Sequence, residues 1–218
     1  MTQLQLEPEV YQGQFGEFTI TESDRTGVII YRTSLMVAAL SFAMGSFLVI
    51  AFGNDISVLN LLTPLYAVFC LGLGISLLTI HIYMAALHRL LQIFWGIGTV
   101  SAAFFAIQSS EPLALFVYNH PLTLFGIGFT FAALTGIFFK EGFCFNRLET
   151  KLLTPLVPML LLGKMAGILP LQAEPFLLGG WAILFLVFAL RKAVQRIPDD
   201  IGDKSVFSYL KQQKSAKA

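Results

Sequence analysis

Between Thr33 and Leu190 the chain is a succession of long apolar runs separated by short polar breaks. A helix needs about 20 apolar residues to cross a hydrocarbon core roughly 30 Å thick, and several of these runs are that long. Hydrophobic residues make up 56% of the 218-residue sequence and charged residues only 12%, against about a quarter charged in soluble domains. Lipid must solvate the excess. A transmembrane β-barrel would show short alternating segments, whereas these runs are continuous. The fold class expected is an all-α integral membrane protein.

Turn signals divide the apolar stretch into a bundle of six spans, at about 33–52, 64–83, 90–107, 121–139, 152–169 and 176–190. Gly53-Asn54-Asp55 ends the first, and Thr63-Pro64 offers an N-cap with proline at the first helical position for the second. The segment ALFVYNH before the fourth is too short to cross and is expected along the interface. Arg25, Arg32, Arg89, Lys140, Arg147, Lys151, Arg191, Lys192 and Arg196 all fall on one side of this arrangement, while the loops around Asp55, Glu111 and Glu174 contain no Lys or Arg. Cytoplasmic loops retain basic residues, so both termini are placed in the cytoplasm, or in the stroma of a plastid. The organisation expected is an N-terminal cytoplasmic segment (1–32) with a pre-membrane helix, a transmembrane domain (33–190) and a cytoplasmic tail (191–218).

The first residues carry three glutamates and no Lys or Arg before Arg25, unlike a signal peptide. Thr21-Glu22-Ser23-Asp24 has the form of a capping box, predicting a helix from Glu22 into the first span. A hairpin of FTIT with GVIIY is the competing reading. Within the tail, Val206, Phe207 and Leu210 suggest a short surface-seeking helix followed by disorder. Cys70 and Cys144 lie at different depths and are expected as free thiols.

Compared with itself, the chain shows Leu-Leu-Thr-Pro-Leu twice, from Leu61 and from Leu152. A pair of small residues follows at the same offset in each, Gly72 with Ser76 and Gly163 with Gly167. The two spans enter from opposite sides, as in an inverted three-plus-three repeat of the transporter kind, although leucine-rich segments also match by chance.

His81, His88 and His120 read as interfacial structural residues, and no haem, metal or other cofactor is expected. Lys164 is the charged residue predicted inside a span, within Gly163-Lys164-Met165-Ala166-Gly167. Two readings stand for this candidate ligand or packing site: the lysine snorkels to the outer headgroups, or it holds an anion or carbonyl. In the charged stretch FKEGFCFNRLETK, Asn146 followed three residues later by Glu149 predicts an N-cap and a short amphipathic helix. Its Phe139, Phe143 and Phe145 suit headgroup depth, and Lys140, Arg147 and Lys151 suit anionic lipid. Glu141 and Glu149 spoil a purely lipid-seeking surface, so Lys140, Glu141, Phe143, Phe145, Arg147, Glu149 and Lys151 form a candidate docking loop for another membrane protein complex.

FTITESDRTGVIIYR, HIYMAALHRLLQIFW and FAALTGIFFKEGFCFNRLETKLLTPLVPMLLLG resemble a family of uncharacterised integral membrane proteins, a domain of unknown function found chiefly in cyanobacteria. The resemblance implies a thylakoid or plasma membrane and no particular reaction. With no phosphate loop, metal-ligand cluster or nucleophile–base pair in the sequence, the expectation is a non-enzymatic accessory, assembly or scaffold component of a membrane complex. Its partners are lipids and that complex, not nucleic acid. The alternative is a small-solute or ion transporter or channel that uses Lys164.

Overall fold

A computed structural model describes residues 10–13, 16–53, 55–82, 84–197, 201, 203, 209, 212 and 215. Val206, Phe207 and Leu210, which carry the reading of the tail, lie outside the described residues. Among the described residues, seven α-helices follow a small antiparallel hairpin of β1 (Val10–Gln12) and β2 (Glu17–Thr19). The helices are α1 (Glu22–Phe52), α2 (Ile56–Thr79), α3 (Ala85–Gln108), α4 (Leu113–Asn119), α5 (Leu124–Phe145), α6 (Leu148–Met165) and α7 (Ala173–Val194), with a 3₁₀ turn (Pro121–Thr123) leading into α5. Phe18 and Thr19 are extended as the FTIT reading has it, but their partner is Val10–Gln12, and GVIIY is helical.

The helix starts show how local chemistry sets these boundaries. Thr21 caps α1 with a complete capping box: its Oγ1 accepts from the Asp24 amide at 3.2 Å and its own amide donates to Asp24 Oδ2 at 3.0 Å. At 31 residues α1 is about 46 Å long at 1.5 Å per residue, so it overshoots a bilayer core. α2 starts eight residues earlier than Thr63-Pro64 suggests, because the Asp55 carboxylate takes the Ser57 amide at 2.8 Å and is the better cap. Pro64 and Pro155 then lie inside α2 and α6. Each orphans a carbonyl four residues back, on Asn60 and Lys151, which are exposed and near the helix starts.

Among the described residues, five helices are long and apolar enough to cross a membrane: α1, α2, α3, α5 with its 3₁₀ lead, and α7. The sequence reading gave six. α6 falls outside the five because its 18 residues include Glu149, Lys151 and Lys164. Helix α4 has seven residues, matching the short segment read from ALFVYNH.

With lipid tails as apolar as leucine, helices in a membrane associate through close packing and polar contacts. Gly72 brings α2 against α1 so closely that a Cβ there would lie 2.8 Å from the Ser34 carbonyl oxygen and 3.0 Å from the Ala38 amide. One turn on, Ser76 Oγ lies 3.2 Å from Ser34 Oγ and donates to the Tyr31 carbonyl at 3.2 Å. Gly98 plays the same part between α3 and α5, against the Thr130 backbone. The second small-residue pair behaves differently. Gly163 faces Leu169 of its own outgoing loop, and Gly167, at φ +68°, is the left-handed residue just past the end of α6, so this half of the proposed repeat is a helix stop and not a helix contact.

Where the helices converge, the centre is filled with rings. Phe42 of α1, Phe69 of α2, Phe131 of α5 and Trp181 of α7 form one cluster, with centroids 4.4 Å apart for Phe42–Trp181 and 5.7 Å for Phe69–Phe131. Phe138 continues it against Phe185 and Phe188.

Gly72→Ala and Gly98→Ala should each destabilise the bundle by about 1–3 kcal/mol, because backbone must move to admit the methyl. At Gly96 a Cβ would meet open space, so Gly96→Ala should be neutral or gain up to about 1 kcal/mol from helix propensity. Unfolding titrations in mixed micelles check the order; equal effects at all three positions would refute the close-approach reading.

Candidate functional site at the charged end of the bundle

The stretch FKEGFCFNRLETK is not a loop. α5 runs on through Phe145, α6 begins at Leu148, and only Asn146 and Arg147 join them. Asn146 does not cap α6 as the sequence pattern suggests; at φ 50° it is the left-handed residue that closes α5, with its amide donating to the Gly142 carbonyl at 3.1 Å. Asparagine tolerates that conformation better than other residues with a side chain, which explains its place here. Arg147 stands at the N-cap without a side-chain cap, and Glu149 is free to turn elsewhere.

This tight turn directs the charges inward. Glu141 is fully buried (0% exposed) and receives Lys192 Nζ of α7 at 2.7 Å on one oxygen and Lys140 Nζ at 2.9 Å on the other. The Tyr31 hydroxyl of α1 donates to Glu141 Oε1 at 3.4 Å. Lys192, 6% exposed, also lies 4.2 Å from the centre of the Phe145 ring and 5.7 Å from that of Tyr31. A carboxylate so placed is tolerable only with close counter-charges, and its two oxygens are both used. Beside it, Arg191 Nη1 donates to Glu149 Oε2 at 2.9 Å, and Arg147 Nη2 donates to the Gln195 side-chain oxygen at 3.1 Å. The result is a polar clamp across α1, α5, α6 and α7.

Of the docking residues read from sequence, Glu141 and Glu149 are buried, and Lys140, Phe145 and Arg147 are partly so. The outward surface at this end consists instead of Phe139, Phe143 (80% exposed), Cys144, Leu148, Lys151 and Leu152. Sequence reasoning missed Lys192 and Tyr31 as partners of Glu141. No local spacing links them, since Lys192 is 51 and Tyr31 is 110 positions away.

The remaining candidates lie apart from the clamp. Lys164 Nζ donates to Glu174 Oε1 at 2.8 Å and sits 3.6 Å from the centre of the Tyr118 ring, so at the far ends of α6 and α7 it finds a carboxylate and an aromatic face from its own chain. α6 and α7 are therefore pinned at both ends, Glu149 to Arg191 and Lys164 to Glu174, and run antiparallel alongside one another. His88 Nε2 lies 2.5 Å from the Leu77 carbonyl and ties the start of α3 to the end of α2. His120 Nδ1 lies 2.9 Å from the Phe116 carbonyl, and His81 sits in the α2–α3 link. Both cysteines are free thiols, Cys70 buried and Cys144 exposed. Among the described residues no three His, Cys, Asp or Glu side chains are grouped to hold a metal ion.

Residues 75–209, more than half of the chain, match the model of a family described as uncharacterized integral membrane proteins (DUF2301). The chain belongs to the DUF2301 family. The DUF2301 match takes in α3 to α7 and so contains Lys140, Glu141, Glu149, Arg191 and Lys192; Tyr31 on α1 and the stretch FTITESDRTGVIIYR precede it. No curated protein and no solved structure matches the chain.

Glu141→Gln should destabilise the protein by about 3–5 kcal/mol, because the Lys192 ammonium is left buried without its counter-charge. Lys192→Met should cost less, since Lys140 still neutralises Glu141. The double variant Glu141→Gln/Lys192→Met should recover much of the loss, a coupling that a thermodynamic cycle in detergent reads directly. Additive effects would show that the two side chains do not act as a pair.

Proposed function

We propose that this DUF2301 protein is a six-span, non-enzymatic accessory, assembly or scaffold component of a membrane complex, with both termini in the cytoplasm. The observation that carries the reading is how the polar groups are used. Glu141, Glu149, Lys164, Glu174, Arg191 and Lys192 are all committed to partners within the chain, at the two ends of the bundle, and the middle is packed with aromatic rings. Secondary transporters typically hold substrate near mid-depth on interrupted helices. Here the long helices are continuous, and the rings where they meet are accompanied by neutral polar contacts such as Tyr66 Oη to Thr130 Oγ1 at 3.0 Å. The transporter reading began from the inverted repeat and from Lys164, which Glu174 and Tyr118 already engage.

The sixth crossing is α6. It is supported by its pairing with both ends of α7, itself long and apolar enough to cross, and by its length of about 27 Å at 1.5 Å per residue. The cytoplasmic orientation of the Glu141 end is supported by the basic residues gathered there, since cytoplasmic segments retain Lys and Arg. There Phe139, Phe143 and Leu148 offer an apolar, aromatic contact surface beside Lys151, suited to a neighbouring membrane protein at headgroup depth. The family resemblance would put that complex in a cyanobacterial plasma or thylakoid membrane.

Cys144 supplies a native topology probe, since Cys70 is buried. A membrane-impermeant maleimide should label Cys144 only after cells are opened, and a cysteine introduced at Gln172 should be labelled in intact cells. Labelling of both from the same side would overturn the six-span arrangement. For the accessory role, native gels of mild-detergent extracts should show the wild type in a defined larger complex, and Phe143→Glu or Leu148→Glu should release it without loss of abundance. Wild type migrating alone would refute that role. Lys164→Met should lower stability by about 1–3 kcal/mol, the scale of a lost charged hydrogen bond, and leave the complex intact. A transporter would instead lose solute uptake in liposomes while the complex stayed irrelevant to it.

A further inference from the structure

A cavity of about 520 Å³ opens beside the clamp, between α1, the α2–α3 link and the last turns of α5. That volume is in the range of sites for small organic ligands, about 300–1,000 Å³. Its lining has two characters. Arg32, Lys140, Lys192 and the Tyr31 ring form a cationic part, and Ile80, Met84 and Phe139 are among the side chains of an apolar part.

Among the described residues, the cavity's cations outnumber the carboxylates seen paired with them. Lys140 and Lys192 share the single carboxylate of Glu141. An ammonium has three donors, and each of these lysines spends one on that carboxylate. Arg32 gives one Nη2 hydrogen bond to the Arg196 carbonyl at 3.3 Å, while its Nε is buried with no hydrogen-bond partner among the described residues. A buried guanidinium nitrogen without an acceptor is costly, and an anion in the cavity would supply one. The apolar lining separates this site from one for a small hydrated anion, because it gains nothing by facing a free phosphate.

We propose that this cavity binds one anionic amphiphile, its phosphate or other oxyanion headgroup held by Arg32, Lys140 and Lys192 and its acyl chain lying along Ile80, Met84 and Phe139. The headgroup stays at the basic end of the bundle, where an acidic lipid meets cytoplasmic-side charge, and the chain leaves past Phe139 toward the bilayer. Such a molecule occupies the seam between α1 and α5, next to the Tyr31–Glu141 contact, and adds a second tie between them. The site stands independently of the accessory role, since it needs only the isolated protein.

The test uses purified full-length protein in a neutral detergent, with thermal unfolding followed as dioleoyl phosphatidylglycerol, dioleoyl phosphatidylcholine or inorganic phosphate is added. Phosphatidylglycerol should raise the unfolding temperature saturably, with the other two doing little. Arg32→Gln and Lys140→Gln should each weaken the phosphatidylglycerol response about tenfold or more, the scale of a lost charge-assisted hydrogen bond. Lys151→Gln, an exposed cation outside the cavity, should leave the response unchanged. Arg32 is not part of the Glu141 ion pairs, so that variant keeps the test open if Lys140→Gln folds poorly. Equal stabilisation by inorganic phosphate would assign the site to a soluble anion and overturn the amphiphile. Equal stabilisation by phosphatidylcholine, or a Lys151→Gln effect as large as that of Lys140→Gln, would reduce the response to general lipid or charge effects and overturn the site.

Discussion

A carboxylate removed from water must be neutralised where it stands, and Glu141 imposes that demand on the whole charged end of the bundle. Its two oxygens are met by lysines from α5 and α7 and by a tyrosine from α1, so three helices are fixed in relative rotation and depth by one side chain. Such a cluster contributes little net stability compared with a well-packed apolar one, since desolvation offsets most of the attraction. What it contributes is selectivity among arrangements. A helix turned away or shifted by one turn leaves a bare charge in an apolar surrounding, whereas a misplaced leucine would merely meet another leucine.

The rest of the structure divides labour around that constraint. Close approach at Gly72 and Gly98 makes two tight pairs, α1 with α2 and α3 with α5. Rings from α1, α2, α5 and α7 then fill the space between the pairs, each ring contact adding about 0.5–1.5 kcal/mol beyond simple burial. At the opposite end, Lys164 and Glu174 close α6 against α7. Among the described residues the ion pairs thus lie at the two ends of the bundle, while the ring-filled middle carries neutral contacts, with Tyr66 Oη donating to Thr130 Oγ1 at 3.0 Å and Trp95 Nε1 to the Cys70 carbonyl at 2.8 Å.

Local signals carried much of the fold into the sequence. Apolar runs located the long helices, and the capping box at Thr21 fixed the start of α1, because both depend on neighbours within a few residues. Boundaries failed where two local patterns competed. Thr63-Pro64 and Asn146–Glu149 each look like a helix start, but Asp55 caps α2 earlier and Asn146 is needed in the left-handed region to turn α5 into α6. Charge partners were the least legible. Lys140, Glu141, Arg147 and Glu149 looked like an exposed mixed-charge surface because nothing nearby says that Lys192 and Arg191 will arrive from another helix. Tertiary packing decides that, and a single sequence does not encode it in any short spacing. Lys164 was read as an ambiguous intramembrane charge for the same reason, its partner Glu174 lying across the helix end.

The placement of these partners has a consequence for biogenesis. α7 leaves the ribosome after α5 and α6, and it supplies Lys192 to Glu141, Arg191 to Glu149 and Glu174 to Lys164. A nascent chain therefore holds mismatched charges on α5 and α6 until α7 docks, and that docking settles all three together. Docking of α7 is chemically distinct from every earlier stage: an insertion quality-control system that senses unpaired charge would retain a chain in which α7 has not docked and release one in which it has.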